Sequence, residues 1–290
     1  MNVDFRTGAE LIALCREENI AISRAMRRRE SVLGETEPRA VEERMARALE
    51  IMRAAAAPRE EPPRSNGGLI GGESAKLRAF QRAGKSLCGD VPGRAIRYAM
   101  AVIEVNASMG LIVAAPTAGS AGVLPGVLLA LGDVYGLDDE KLRDGLFNAG
   151  AVGYLAMRNA TVAGAVGGCQ AEVGVASAMA ASAAAELMGG TPEQCLNAAS
   201  TVLMNMLGLV CDPVGGLVEY PCQNRNAAGA VNALAAAEIA LAGVEQLIPF
   251  DDMLAVMASV GRLMPASLRE TSLAGCAAAP SACRACAGRE

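Results

Sequence analysis

Apolar residues recur along most of this chain with the three-to-four-residue spacing of α-helices. Residues 8–55 contain two apolar stripes, formed by Leu11, Ile12, Leu14 and Cys15 and by Val41, Met45, Leu49 and Met52. Such stripes are typical of amphipathic helices that bury one face. Further helices are predicted at about 74–83, 93–108, 122–135, 139–157, 171–188, 192–207, 226–242 and 251–262.

Helix signals outweigh strand signals throughout. Thr191 can cap the helix that follows it, and Pro192 suits the first helical position. The segment VGVASAMAASAAAELM (173–188) is small and apolar on nearly all sides, which predicts full burial and close helix approach. Period-two alternation is short and broken. We therefore predict an all-α fold: a compact bundle of buried small-residue helices whose Gly-rich loops form a site.

A break in composition predicts the domain boundaries. The stretch APREEPPRSNGG (57–68) is rich in Pro, Gly and charge, as linkers are. It separates a helical arm, residues 1–56, from an all-helical catalytic body, residues 69–275. The last segment, residues 276–290, is a cysteine-containing tail in which no further apolar helix is expected.

Charge and hydropathy exclude several function classes. The net charge is −5, and Arg27-Arg28-Arg29 is the longest basic run, so nucleic-acid binding is not expected. Residues 105–132 carry no charge and are long enough to cross a membrane. Gly, Ser, Thr and two prolines interrupt them, which favours a helix–loop–helix in a buried core. Acidic and arginine residues near the start argue against a signal peptide, so we expect a cytoplasmic protein.

The chain contains no histidine. This excludes a Ser-His-Asp triad, a Cys-His pair and HExxH zinc chemistry within the polypeptide. Acid–base chemistry must then come from Asp, Glu, Cys, Tyr or one of the lysines, or from a partner chain. The lysines are Lys76, Lys85 and Lys141.

Two loops resemble anion-binding motifs. AGKSLCGD (83–90) ends like a P-loop, but Ala79 occupies the position of the required glycine and no strand precedes it, so a nucleotide site is rejected. PTAGSAG (116–122) places Thr117 and Ser120 just before a helix, where backbone N–H groups suit a carboxylate or phosphate. Ordinary helix capping uses the same residue types and is the favoured interpretation of this loop taken alone. Asn106 and Ser108, at the end of the preceding helix, could face the same cavity.

Three of the nine cysteines stand out because they lie in Gly-rich turns. These are Cys169, Cys211 and Cys222, whereas Cys15 and Cys195 fall among apolar helix residues. Soft thiolates select iron–sulfur clusters, zinc or copper(I). The spacings of 42 and 11 residues match no paired CxxC zinc site. From the residues alone, a metal site and three buried structural thiols remain equally open.

Four segments resemble the α chain of iron–sulfur-dependent L-serine dehydratases. They are NASMGLIVAAPTAGSAGVLPG, GGCQAEVGVASAMAA, GLVCDPVGGLVEYPCQNRNA and MPASLRETSLAG. The resemblance runs from the N-terminal helices to about residue 280. It implies an all-helical lyase of amino-acid catabolism and gluconeogenesis that converts L-serine into pyruvate and ammonia without pyridoxal phosphate.

The resemblance also implies a cofactor and its ligands. By motif, Cys169, Cys211 and Cys222 would hold a [4Fe–4S] cluster, leaving one iron free to act as a Lewis acid on the serine hydroxyl. Asn224 and Arg225 follow Cys222, and we predict that they contact the cluster or the substrate carboxylate, with Asn106, Ser108, Thr117 and Ser120 as further substrate-binding residues.

In the family, a β chain or fused β domain contributes a Ser-Ser-His-Thr-like segment near the active site. Because this chain has no histidine, an obligate α–β assembly within a larger hetero-oligomer is expected. Val166 stands where the family has an acidic residue, so no acidic role is carried over there. Some members end in a cysteine that binds the fourth iron. Cys283 is the first candidate here and Cys286 the second, against a flexible tail with incidental thiols.

Three other functions compete with this hypothesis. A related cluster-dependent lyase could act on another small amino acid, such as cysteine. A non-catalytic iron–sulfur protein would expect four cysteine ligands and no substrate loops. A pyridoxal enzyme needs a lysine in a Schiff-base context, and none of the lysines has a convincing one.

Overall fold

The computed structural model describes residues 3–287, and this part of the chain is all-α, as predicted. Its α-helices are α1 (Gly8–Glu18), α2 (Ile22–Leu33), α3 (Pro38–Ala56), α4 (Glu73–Arg82), α5 (Asp90–Ala107), α6 (Val123–Tyr135), α7 (Asp139–Asn159), α8 (Gly164–Gly167), α9 (Cys169–Leu187), α10 (Pro192–Asn205), α11 (Cys222–Leu241), α12 (Phe250–Leu263) and α13 (Pro280–Ala287). Short 3₁₀ turns lie at Ala118–Ser120, Val214–Gly216, Ala266–Leu268 and Gly275–Ala278.

Helix α9 is the centre of the bundle. It is buried from Cys169 to Ala185 apart from Glu172, and it packs against α6, α7, α10 and α11. Its side chains are mostly Ala, Ser, Gly and Val, so neighbouring helices approach closely. At Gly229 of α11, for example, an added Cβ would lie 2.5 Å from the hydroxyl of Ser177. The predicted full burial of this helix is confirmed.

The start of α10 has the predicted capping residue, whereas two other helices start earlier than predicted. Thr191 and Gln194 form a reciprocal capping box at the start of α10. Helix α9 starts at Cys169 rather than 171, and α11 starts at Cys222 rather than 226. Two of the singled-out cysteines are therefore the first residues of central helices, not members of preceding loops.

The N-terminal helices share the core of the body. Leu11 of α1, Ile22 of α2 and Leu49 of α3 belong to the same buried cluster as α9. The predicted linker is tied down as well, because Glu219 accepts hydrogen bonds from Ser65 Oγ (2.8 Å) and Leu69 N (2.8 Å). The proposed domain boundaries stay predictions, and residues 1–2 and 288–290 of the arm and tail lie outside the described part.

One segment, Ala118–Tyr135, has the length and composition of a membrane span, and 72% of it is buried inside the protein. The α-helix within it, α6, has 13 residues. At 1.5 Å per residue this is about 20 Å, short of the roughly 30 Å of a bilayer core. The segment therefore has the properties of a buried core helix preceded by a loop, as predicted.

Close packing of α5 and α6 gives a test of the fold. A Cβ at Gly126 would lie 2.9 Å from the carbonyl oxygen of Ala95, whereas one at Gly150 of α7 meets nothing nearer than 3.9 Å. Gly126→Ala should therefore destabilise the protein by about 1–3 kcal/mol. Gly150→Ala, the matched control, should be neutral or stabilising by up to about 1 kcal/mol, because alanine favours helix. Urea unfolding measures both, and equal effects would contradict the packing.

Candidate metal centre

The three cysteines of interest are buried where separate chain segments meet. Cys169 starts α9, Cys222 starts α11, and Cys211 lies in the irregular segment between α10 and α11. Their exposed fractions are 1%, 6% and 2%. Gly168 precedes Cys169 with φ 75°, and an added Cβ there would lie 2.8 Å from the carbonyl oxygen of Leu209. Only glycine fits this approach of two turns.

The Cys211 segment is held by backbone pairing on one side and by Gln170 on the other. Cys211 N donates to Leu268 O (2.9 Å), and Glu270 N donates to Cys211 O (2.7 Å). The side chain of Gln170 accepts from Gly208 N (2.8 Å) and donates to Met257 O (3.0 Å). The segment MPASLRETSLAG is thereby fixed against the thiols.

Two thiols and one carboxylate converge. Cys169 Sγ, Cys211 Sγ and an oxygen of Glu172 all lie within 4.8 Å of one another. Cys222 Sγ is not part of this tight group. It lies close enough, however, that the charges of Cys169 and Glu172 add to the effect of burial and raise the pKa of its thiol to about 12.

The thiols of Cys169 and Cys211 differ in acidity. A hydrogen bond from Cys211, helped by the positive charge of Arg225, lowers the pKa of Cys169 against the opposing effect of burial. The same hydrogen bond and burial raise the pKa of Cys211. The site thus favours a thiolate at Cys169, and thiolates are the form in which cysteine binds metals.

Arg225 and Asp212 form a buried charge pair beside Cys169. Arg225 Nη1 lies 2.6 Å from Asp212 Oδ1 and 3.6 Å from Cys169 Sγ, and it donates to Val210 O at 2.9 Å. Asp212 is 2% exposed, and its Oδ2 accepts from Cys276 N at 2.6 Å. Asp212 therefore holds Arg225 beside the Cys169 thiol and also accepts a hydrogen bond from the start of the tail at Cys276.

Two carboxylates that were not predicted from the sequence face the thiols. Thr117 Oγ1 donates to Glu172 Oε1 at 2.5 Å, and Glu270 holds φ 62° beside Cys211. An added Cβ at Gly164 would lie 3.1 Å from both Cys211 Sγ and Glu172 Oε2, and 3.4 Å from Glu270 Oε2. Burial raises the pKa of Glu172, and the charge of Glu270 adds to this against the hydrogen bond from Thr117. The position of Glu172, three residues after Cys169 on one helix, is the signal that could have identified it.

The predicted loop Thr117–Ser120 reaches this site. The hydroxyls of Thr117 and Ser120 lie 3.0 Å apart, and Asn106 Nδ2 holds the loop by donating to Ala118 O at 3.0 Å. Asn226 is fully buried and was not predicted from the sequence. Its Nδ2 donates to both Gly119 O (2.7 Å) and Cys222 O (2.9 Å). It ties the loop to the third cysteine.

The other predicted residues are placed less centrally. Ser108 Oγ donates to Val105 O, and the residue lines a different cavity with Arg47 and Glu50 of α3. Asn224 is exposed. Val166 is 55% exposed, and its carbonyl accepts from Arg269 Nη1 at 3.4 Å. The structure therefore brings Thr117, Ser120 and Arg225 to the thiols and gives Ser108 another environment.

The tail cysteines differ in their contacts with the rest of the protein, and Cys283, the first candidate for the fourth iron, is the most exposed of those in the tail. Cys283 is exposed, and its thiol lies 3.8 Å from Ala277 O. It lies on the short helix α13, which was not predicted from the sequence. Cys286 packs near Gly215, whose added Cβ would lie 3.2 Å from its Sγ. Cys276 contacts Asp212 directly. Burial and that contact raise the pKa of the Cys276 thiol.

Comparisons with known proteins agree on one family. The profile described as "Serine dehydratase alpha chain" matches residues 17–277. The "Probable L-serine dehydratase, alpha chain" of Bacillus subtilis is 48% identical over 277 residues, covering 96% of this chain and 92% of that protein. The "L-serine dehydratase, alpha chain" of Peptoniphilus asaccharolyticus is 43% identical over 272 residues, covering 93% of each. The "L-serine dehydratase" of Streptomyces coelicolor is 40% identical over 280 residues, covering 94% of this chain but 60% of that protein.

The Asp212–Arg225 pair can be tested by stability. Asp212→Asn leaves a largely buried guanidinium without its counter-charge, so the free energy of unfolding should fall by about 3 kcal/mol. Glu43→Gln, which breaks the exposed Arg39–Glu43 pair, is the control and should change it by less than about 0.5 kcal/mol. Chemical denaturation of the full-length chain measures both. Similar small losses would show that the buried pair does not organise the site.

Proposed function

The chain belongs to the serine dehydratase alpha chain family, and from this membership we propose that it is the α subunit of an iron–sulfur-dependent L-serine dehydratase. In this proposal the enzyme eliminates water from L-serine and releases pyruvate and ammonia. The observation that carries the proposal is the convergence of two buried thiols on a carboxylate, with the third cysteine at the start of the adjacent helix.

The residues at the site fit a [4Fe–4S] cluster. Soft sulfur donors from three chain segments are the ligand set that such clusters prefer. The third thiol need not come within reach of the same iron as the other two, because a cluster contains several metal ions. Gly164 and Gly168 carry no side chains where Cβ atoms would crowd Cys211 and Leu209. Cys169, Cys211 and Cys222 would hold the group.

The remaining residues would bind and orient the substrate. When bound, the cluster would supply an iron without a protein ligand, a Lewis acid for the substrate hydroxyl. The guanidinium group of Arg225 contacts Cys169 Sγ, and its positive charge would attract the carboxylate of the substrate. Thr117 and Ser120 place hydroxyls on the opposite loop, beside Glu172.

A carboxylate of this chain can hold a proton next to the thiols. Glu172 Oε1 is engaged by Thr117, whereas Oε2 is directed toward the position of Gly164. Burial raises the pKa of this carboxyl, so Oε2 accepts a proton more readily than an exposed glutamate does. Glu172 is therefore the group of this chain best placed for proton transfer at the site.

We further propose that a partner chain completes the active site. The chain lacks histidine, and its match covers 60% of the Streptomyces coelicolor relative, so about two fifths of that relative lies outside the match. The printed names of two other relatives specify an α chain. A β chain that supplies an imidazole fits these observations.

Cluster binding can be tested by replacing the cysteines singly. Anaerobic reconstitution should give roughly four iron and four sulfide per chain, with broad visible absorption. Cys169→Ser, Cys211→Ser and Cys222→Ser should each lower the iron content by at least about half. Cys88→Ser, which changes an exposed thiol, should leave it unchanged. Equal iron content in all variants would overturn the assignment of the ligands.

Catalysis and the need for a partner form a separate test. Pyruvate formation from L-serine is measured without oxygen, for the reconstituted chain alone and for the chain co-expressed with its β chain. Activity should require the β chain, and L-cysteine should be a poorer substrate. Full activity of the isolated chain would disprove the shared active site. A preference for L-cysteine would show that the enzyme catalyses desulfidation rather than dehydration.

A further inference from the structure

A cavity separate from the thiol site lies where the segment 57–63 crosses helices α4 and α5. Its volume is about 300 Å³. Its walls are mostly alanine and proline, together with Ser74 and Glu104. Four arginines also line it: Arg59, Arg78, Arg82 and Arg97.

These arginines have no acidic partners within residues 3–287. No carboxylate there lies within 4.0 Å of their guanidinium groups, whereas Arg27 and Arg225 each pair with an aspartate. Arg97 donates to Gln81 Oε1 (3.2 Å), and Arg59 donates to Ala54 O (3.2 Å) and Ala55 O (3.3 Å). The cavity therefore combines several positive charges that the described chain does not neutralise.

Two of the charges oppose each other within one helix. Arg78 and Arg82 are four residues apart on α4, so they lie one turn apart on the same face. Like charges at this spacing destabilise a helix. An anion between the two guanidinium groups would offset this repulsion by attracting both of them.

Glu104, the carboxylate in the cavity wall, does not act as the counter-ion. Ser74 donates to it through both N (2.9 Å) and Oγ (2.6 Å), and Gln223 Nε2 donates at 3.3 Å. It is 2% exposed, and burial raises the pKa of its carboxyl. Its oxygens thus accept hydrogen bonds from neighbouring groups, and burial disfavours its charged form.

An adjoining cavity extends the available room. It has a volume of about 370 Å³ and shares Pro58, Arg78, Arg82 and Arg97 with the first. It adds Arg94, which pairs with Asp133 at 3.2 Å, and one acidic residue, Asp90. At roughly 30 Å³ per water molecule, the first cavity alone holds about ten non-hydrogen atoms.

We propose that this cavity binds a small organic polyanion, either a phosphate ester or a dicarboxylate, between Arg78 and Arg82 of α4 and Arg97 of α5. Guanidinium groups present paired N–H donors that match the oxygens of phosphates and carboxylates. The apolar walls suit a short carbon skeleton. The proposal does not depend on the chemistry at the thiols.

Calorimetric titration of the full-length chain tests the site at constant ionic strength. The probes are inorganic phosphate, glycerol 3-phosphate and malate, with acetate as the singly charged comparison. At least one dianionic probe should bind in the millimolar range or tighter, and acetate should bind at least about tenfold more weakly. Stronger binding of glycerol 3-phosphate identifies a phosphate-ester site, and stronger binding of malate a dicarboxylate site. Absence of saturable binding by all probes would refute the proposal.

Variants show whether the binding uses these arginines. Arg78→Gln combined with Arg82→Gln should weaken binding at least about tenfold and preserve the helix, because glutamine favours helix nearly as well as arginine. Replacing both with lysine should give an intermediate affinity, since the charge remains but the paired donors are lost. Arg44→Gln, an exposed arginine of α3 outside both cavities, is the matched control. Equal affinity of all variants would contradict the site.

The assembled protein provides the last comparison. The titration is repeated with the β chain bound. Unchanged affinity supports a small-molecule site that stays open in the assembly. Loss of binding on assembly would show that an acidic segment of the partner occupies the cavity, and the small-anion proposal would be wrong.

Discussion

The buried ion pair between Asp212 and Arg225 is the interaction on which the thiol site depends. One carboxylate at 2% exposure fixes the guanidinium beside Cys169 and, through its second oxygen, the backbone of Cys276. Removing both charges from water costs several kcal/mol, so such a pair is a weak source of stability. Its value is geometric: the guanidinium cannot move away from Cys169 without leaving a buried charge unpaired.

Small residues make this geometry possible. Helix α9 carries almost no bulk, so α10 and α11 come close enough to set Cys169 and Cys222 at adjacent helix starts. Gly168 allows the turn of Cys169 to touch Leu209, and Asn226 links Cys222 to the loop that holds Thr117. The same packing that buries the core therefore positions the thiols, and this is why the chain uses so few aromatic residues.

The sequence predicted the parts of the site that have local signals. Glycines and a proline next to Cys169, Cys211 and Cys222 marked turns, and alanine-rich periodicity identified the central helices. It could not predict Asp212, Glu172, Glu270 or Asn226 as site residues, because their partners lie tens of residues away along the chain. The pairing of Cys211 with Arg269 illustrates this limit. Ser108 shows the opposite effect: its hydroxyl donates a local hydrogen bond to Val105 O, and its predicted role in substrate binding stays a prediction.

Acidic groups outnumber basic groups at the thiol site. The thiols of Cys169 and Cys211 meet the carboxylates of Glu172 and Glu270 there, and Arg225 is already paired with Asp212. Burial without a counter-charge disfavours the charged form of an acidic group, consistent with the raised pKa values of Cys211, Cys222 and Glu172. Under the proposed function, binding of a metal cluster would displace protons from the thiols, so the free energy of binding would depend on pH. Cys169 is the exception, because a hydrogen bond from Cys211 and the positive charge of Arg225 lower the pKa of its thiol and so favour its thiolate.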